Sequence, residues 1–145
     1  MEPDPSEVSS VPQNSDRETP DIASSTDDYA SRFSGVAGAY FLEVQSRVTT
    51  KLIEAWPGSS VLDVGGGHAQ IAPVLAGNGH PVTVLGSDAS CRMRLDRIDP
   101  ALGIRFVEGD VVRLPFPDQS FDVVVSFRMV PHLDAWDLHL QEMLR

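Results

Sequence analysis

Cysteine, basic side chains and long apolar runs are all scarce in this chain of 145 residues. The single cysteine, Cys91, excludes an internal disulfide and a CxxC metal or redox motif. The formal net charge of −10 argues against nucleic acid as a partner, because phosphates favour a basic surface. No apolar run approaches the roughly 18 residues of a membrane span, and the acidic start is unlike a signal peptide. These absences predict a cytoplasmic protein with no membrane partner.

The acidic charge is concentrated at the start of the chain. Residues 1–28 carry eight acidic side chains, one basic side chain and four prolines, with few aliphatic residues. Such a composition buries too little apolar area to offset the entropy lost on ordering. The sequence therefore predicts a disordered acidic leader over 1–28, which could also serve as an interaction tail, and a folded domain over 29–145.

Helices and strands are expected to alternate through the folded part. Apolar residues at steps of three and four predict a helix over 36–56. Apolar runs bounded by turn residues predict strands over 60–64, 82–85, 104–108 and 121–127. Further helices are expected over 69–76, over 90–98 with Ser90 as the cap, and over 134–144. The last has an apolar face of Leu133, Trp136, Leu140 and Met143. This order predicts an α/β fold with a doubly wound, mostly parallel sheet.

A glycine-rich loop, Gly65-Gly66-Gly67, follows the first expected strand and is preceded by Asp63. Ligands of open α/β sheets bind beyond the carboxyl ends of the strands, and glycine lets the backbone approach them closely. A tight strand-to-helix turn without a ligand is the alternative. A dinucleotide fingerprint would need glycine or alanine in place of Gln70. The Asp63 carboxylate would repel a pyrophosphate but suits a ligand that carries an ammonium group.

Two further acidic residues follow the next two expected strands. Asp88 stands 21 residues beyond Gly67, where a carboxylate can accept both hydroxyls of a ribose, although a helix cap is the alternative. Asp110 is followed by the amide of Val111, and this pair offers an acceptor and a donor to the edge of an adenine.

The chain resembles the class I methyltransferases that use S-adenosylmethionine, especially the ubiquinone/menaquinone-type small-molecule branch. Four segments carry the resemblance in the family's order and spacing: YASRFSGVAGAYFLEVQSR, VLDVGGGHA, VTVLGSDAS and EGDVVRLPFPDQSFDVVVSF. The departures are Gly66 and His68, at positions that vary in the family, and Ala69 in place of the third glycine. The resemblance implies a Rossmann-like sheet, here only strands 3-2-1-4 with flanking helices.

The resemblance also implies S-adenosylmethionine as the cofactor and a small-molecule methyl acceptor. It assigns the glycine loop to the methionine and ribose portions, and Asp110 with Val111 to the adenine. The implied cofactor-binding set is Asp63, Gly65, Gly66, Gly67, Asp88, Ala89, Asp110, Val111 and Ser126. His132 follows the fourth strand and is the candidate catalytic base, although many methyl transfers need none. The histidine spacing matches no metal motif.

Compared with the family, the chain ends before the fifth strand, so the sequence predicts the cofactor-binding half of the domain, inactive or weakly active alone. The expected fourth strand would then be an open edge, which favours self-association. Two alternatives remain open at this point. One is a non-catalytic or truncated cofactor-binding remnant, and the other, less favoured, is an NAD-dependent oxidoreductase.

Overall fold

The computed structural model describes residues 27–145. The expected leader lies outside the described residues, apart from Asp27 and Asp28, which form the first turn of a short helix. The helices are α1 (Asp27–Ser31), α2 (Gly35–Ile53), α3 (Ala72–Gly77), α4 (Arg92–Leu95) and α5 (Trp136–Leu144). The strands are β1 (Val61–Val64), β2 (Val82–Gly86), β3 (Arg105–Glu108) and β4 (Val123–Ser126).

The four strands form one parallel sheet in the order β3-β2-β1-β4. The chain moves outward from β1 through β2 to β3 and then returns to the other side of β1, where Val64 is in register with Ser126. This reversal opens a crevice at the carboxyl ends of β1 and β4, the usual ligand position in such sheets. The predicted α/β class and strand order are confirmed.

Apolar side chains cover both faces of the sheet, as expected for parallel strands. β1 and β2 are buried along their whole length. On one face, α3 packs against the sheet, and the cluster includes Val61, Ile71, Leu75 and Val84. On the opposite face, the loop after β3 packs against the sheet, and the cluster includes Leu62, Val64, Leu85 and Val111. The central strands are therefore fixed on both sides, which makes the loops at their carboxyl ends a rigid platform.

Two predicted helices are shorter than expected. The helix predicted over 69–76 begins only at Ala72, because Pro73 favours the first turn of a helix and Ala69 has a left-handed backbone with φ 54°. The helix predicted over 90–98 is a 3₁₀ turn followed by α4, and its cap is Asp88 rather than Ser90. The Asp88 carboxylate accepts a 2.8 Å hydrogen bond from the Ser90 amide, the usual geometry of an N-terminal cap.

The predicted apolar face of α5 is only partly in the core, with Leu133 buried and Met143 half-buried. Trp136 and Leu140 are 51% and 39% exposed, whereas His139 is completely buried. Both ring nitrogens of His139 have hydrogen-bond partners, so the polar ring can replace an apolar side chain in the core.

The apolar stripe of α2 lies largely in the open. Phe41 and Leu52 are 66% and 68% exposed and line an apolar groove between α2 and β4. The edge of β4 away from β1 has no neighbouring strand in the described part of the chain. Along the same described residues, no helix is long and apolar enough to cross a membrane.

Candidate cofactor-binding site

A cavity of about 40 Å³ lies where β1 and β4 end, below the glycine loop. It is lined both by predicted site residues and by residues that the sequence did not predict to belong to the site. Four predicted site residues share it: Asp63, Gly65, Gly66 and His132. Tyr29, Gln45, Gln70 and Arg128 complete most of its polar wall. We call this space the Asp63 cavity.

The Asp63 carboxylate is the most unusual group in the cavity. The residue is 2% exposed, and its Oδ2 atom has no hydrogen-bond partner among residues 27–145. Burial raises the pKa of Asp63 from 3.8 to about 7, and the positive charge of Arg128 acts against that rise. A buried, unpaired carboxylate costs free energy, so its presence here indicates a ligand that supplies the missing positive charge.

Gly66 is required for this carboxylate to lie where it does. A Cβ atom at Gly66 would stand 2.1 Å from Asp63 Oδ2, and a Cβ at Gly65 would stand 2.3 Å from Met129 Sδ. Gly65 also has φ +78°, a conformation that side chains rarely adopt. The loop thus keeps its first two glycines for steric reasons of its own, in addition to any close approach of a ligand.

Arg128 reaches over the glycine loop from the end of β4. Its backbone is left-handed, with φ 61°, which is uncommon outside glycine and typical of functional sites. Its guanidinium donates to Gln45 Oε1 at 2.6 Å and to Gln70 Oε1, and it lies 4.6 Å from the centre of the Phe33 ring. Its position immediately after a strand was the signal that could have marked it from the sequence.

Aromatic side chains close the cavity on the α1 side. Tyr29 is buried and stacks on His68, with ring centres 4.7 Å apart, and the Arg32 guanidinium lies 5.0 Å from the Tyr29 ring centre. His68 therefore lines the cavity as well as flanking the loop. The segment containing Tyr29 was part of the resemblance, but composition alone gave this residue no role.

The remaining predicted residues lie outside the Asp63 cavity, along the same end of the sheet. Gly67 is buried, and a Cβ there would stand 3.0 Å from Cys91 Cβ. Asp88 and Ala89 are exposed just after β2. Hydrogen bonds from Ser90, its hydroxyl first and its amide second, lower the pKa of Asp88. Asp88 is therefore ionised and accessible while it caps the 3₁₀ turn.

Asp110 and Val111 form a tight turn after β3. The Asp110 Oδ1 atom accepts from the Val112 amide at 3.0 Å, and the Arg113 amide donates to the Asp110 carbonyl at 3.2 Å. The Ser126 hydroxyl lies 3.1 Å from His139 Nε2, so it faces α5. The predicted residues thus follow four adjacent strands, and Asp63, Gly65, Gly66 and His132 converge on one cavity.

The polar and charged groups of the site fit a ligand with an amino-acid end and an adenosyl end. The unpaired Asp63 carboxylate matches an ammonium group, and Arg128 matches a carboxylate. The ionised Asp88 and the Asp110–Val111 turn offer the acceptors that a ribose and an adenine require. Among the described residues, no group of His, Cys, Asp and Glu side chains could hold a metal ion.

Comparison with known proteins gives a family match over most of the folded part. A family model described as a methyltransferase domain matches residues 62–145. Demethylmenaquinone methyltransferase of Beutenbergia cavernae is 32% identical over 133 residues, which are 90% of this chain and 55% of that protein. Among the curated relatives that it matches, the chain spans 28% to 55% of the length of the relative.

Solved structures share the fold. The PH0226 protein of Pyrococcus horikoshii superposes with a TM-score of 0.67 at 18% identity, over 82% of this chain and 55% of that one. Coclaurine N-methyltransferase, bound to N-methylheliamine and SAH, superposes with a TM-score of 0.59 at 16% identity, over 69% and 31% of the two chains. With the family match extending from β1 to Arg145, this chain belongs to the methyltransferase domain family.

Proposed function

We propose that this chain binds S-adenosylmethionine at the carboxyl end of its sheet and serves methyl transfer to a small-molecule acceptor. The observation that carries the proposal is the buried Asp63 carboxylate, whose Oδ2 atom has no partner. The amino group of a bound S-adenosylmethionine would pair with this oxygen. SAH in the coclaurine N-methyltransferase structure supports the same cofactor for this chain.

The amino-acid end of the cofactor is assigned to the Asp63 cavity. The cavity brings one carboxylate, Asp63, together with one guanidinium, Arg128, and thus complements a zwitterion. At about 40 Å³ it has room for that end of the ligand only. Gly65, Gly66 and Gly67 allow the rest of the cofactor to pass close to the backbone.

The adenosyl end is assigned to the loops after β2 and β3. Asp88, with Ala89 beside it, would accept the ribose hydroxyls. Asp110 would accept the exocyclic amine of adenine, and the Val111 amide would donate to N1. Ser126 completes the proposed set at the end of β4, where its backbone is next to the glycine loop.

When bound, the cofactor would supply an electrophilic methyl group to an oxygen, nitrogen or carbon nucleophile of the acceptor, and the sulfonium sulfur would leave in line as the thioether of SAH. The contribution of the protein is then mainly to position the two reactants. His132 lines the Asp63 cavity in a 3₁₀ turn, Val130–His132, and is the candidate base for an acceptor that loses a proton. The name of the B. cavernae relative supports a small organic acceptor.

Self-association through β4 is a further part of the proposal, with a second copy of this chain as the partner. The open edge of β4 adjoins the apolar groove formed with α2, and such edges favour pairing with another chain. The acidic net charge and the site chemistry give no support for nucleic acid as a partner.

The proposal is tested by methyl transfer from isotopically labelled S-adenosylmethionine to a panel of small quinol, phenol, amine and fatty-acid acceptors. Because this chain is expected to be inactive or weakly active alone, we expect weak label in an acceptor at most, and none with an Asp63→Leu variant, in which the ammonium partner is lost. His132→Gln serves as the second variant, because loss of a detectable turnover with retained cofactor binding would identify His132 as the base. Failure of the parent chain to bind S-adenosylmethionine would contradict the proposal, and fast transfer by the chain alone would contradict the expectation of weak activity.

A further inference from the structure

A histidine on α5 is buried between the two sides of the proposed site. His139 has no exposed surface, and its ring has a hydrogen-bond partner at each nitrogen. Nδ1 lies 2.8 Å from the carbonyl oxygen of Val111, and Nε2 lies 3.1 Å from the hydroxyl of Ser126. A carbonyl only accepts, so Nδ1 must be the donor, and in the neutral ring Nε2 then accepts from Ser126.

The contact with Val111 fixes the peptide that follows the proposed adenine donor. The peptide unit between Val111 and Val112 is bound at both ends: its carbonyl accepts from His139, and its N–H donates to Asp110 Oδ1 at 3.0 Å. The preceding peptide unit is fixed by the Arg113 amide, which donates to the Asp110 carbonyl at 3.2 Å. In a trans peptide the N–H points opposite to the carbonyl, so these bonds set the direction of the Val111 N–H.

His139 also connects this turn with the strand that borders the cofactor crevice. Ser126 is the last residue of β4 and is in register with Val64, the residue before the glycine loop. One side chain therefore joins the loop after β3 to the end of β4. A leucine would fill similar space on α5 but would leave the Val111 carbonyl without its His139 donor in the core, which costs free energy.

We propose that His139 is a positioning residue for adenine recognition: it holds the Val111–Val112 peptide so that the Val111 amide faces the N1 edge of the base. The inference rests on the proposed function, because it assumes that an adenosyl ligand binds at this turn. Discrimination between adenine and hypoxanthine reports on this amide, since N1 of hypoxanthine carries a hydrogen that opposes the Val111 donor.

Two conservative variants separate the two contacts of the ring. His139→Asn places its side-chain amide nitrogen near the position of Nδ1 and can still donate to Val111. His139→Gln reaches the position of Nε2 and keeps the contact with Ser126 but not the donor to Val111. Calorimetric titration of the full chain with SAH and with S-inosylhomocysteine gives the preference of each variant for adenine.

We expect the parent and His139→Asn to prefer SAH clearly, and His139→Gln to lose about three- to tenfold of that preference, the effect of one neutral hydrogen bond. Hydrogen exchange of the Val112 amide in the unliganded protein should be faster in His139→Gln than in His139→Asn, which checks the mechanism without a ligand. If His139 only stabilised the fold, both variants would melt at a lower temperature than the parent. Their preference for SAH over S-inosylhomocysteine would then be unchanged.

The possible results decide between the inference and the proposed function. Equal preference for adenine in both variants, or a loss in His139→Asn alone, overturns the role of His139 and leaves the cofactor proposal standing. A parent chain that binds neither ligand overturns both.

Discussion

Replacing Asp63 with asparagine should stabilise the free protein and weaken its binding of the cofactor. The carboxylate is 2% exposed, Oδ2 has no partner, and burial raises its pKa from 3.8 to about 7. Above pH 7 the folded protein therefore carries a charge that the unfolded chain accommodates in water at little cost. Asparagine has the same shape without the charge, so the variant avoids this cost.

The magnitude follows from the two pKa values. A rise of roughly three units corresponds to about 4 kcal/mol of lost stability when Asp63 is ionised, at 1.36 kcal/mol per unit. The buried amide of asparagine would itself cost about 1–3 kcal/mol, because its polar atoms are incompletely paired. We therefore expect the Asp63→Asn variant to be more stable than the parent by about 1–3 kcal/mol near pH 8.

The stability of the parent and of the variant should depend differently on pH. Between pH 4 and 7 the folded parent binds a proton that the unfolded chain has lost, so the stability of the parent falls as the pH rises through this window. The advantage of Asp63→Asn should therefore shrink as the pH is lowered, reach zero at about pH 5–6 and reverse below that, where the parent is protonated and only the cost of the buried amide remains. SAH should bind this variant at least about tenfold more weakly than the parent, because the ammonium loses its charged partner.

The assays are urea unfolding at several pH values and calorimetric titration with SAH. Asp122→Asn is the matched control, because Asp122 is exposed and hydrogen bonds from Ser60, its amide first and its hydroxyl second, lower the pKa of Asp122. Its contribution to stability is present above the ordinary pKa of aspartate and is lost as the pH falls, the opposite trend. If the free energies of unfolding of Asp63→Asn and the parent differ by the same amount at every pH, Asp63 is not a buried group with a raised pKa. Unchanged affinity for SAH would show that Asp63 does not pair with the ammonium.

Three further predictions concern the ribose site, the glycine loop and the open strand edge. Asp88→Ala should weaken SAH binding by about tenfold, and Asp88→Asn should restore the cap but not the affinity; equal affinity in all three proteins would leave Asp88 as a cap only. Ala69→Gly should raise the free energy of unfolding by ~0.5–1 kcal/mol in urea titration, because the left-handed backbone at φ 54° is strained for alanine; a loss of stability would contradict this. In light scattering after size exclusion, the parent should form dimers or larger species and Leu52→Glu should shift toward monomer. The matched control Val36→Glu, 91% exposed and outside the groove, should behave as the parent, and a monomeric parent would remove the self-association proposal.

The sequence predicted the sheet well because the pattern of its strands is local. The run Val61–Val64 is apolar except for Asp63, the run Val82–Gly86 is mostly apolar, and both are buried central strands. Alternation with helices predicted a mostly parallel sheet with right-handed crossovers. The order of the strands came from the family resemblance, and the structure confirms it. The ends of short helices were less predictable, since Asp88 and Pro73 set them through capping and backbone geometry.

The site was predicted in part, for a physical reason. Asp63 and the glycines stand together in sequence, so their chemistry could be inferred from one segment. Arg128 and Tyr29 reach the same cavity from β4 and α1, and only the fold brings them to Asp63. The role of His139 depends on two hydrogen bonds across the core, which a helix periodicity cannot indicate.

Calorimetric titration of the unmodified chain with SAH and with NAD tests whether the site at the end of β1 is built for S-adenosylmethionine. We expect SAH to bind at least about tenfold more tightly than NAD. The Asp63 carboxylate would pair with an ammonium and repel a pyrophosphate, and Gln70 departs from the dinucleotide fingerprint. Tighter binding of NAD, or no binding of SAH, would contradict the assignment of this site to S-adenosylmethionine.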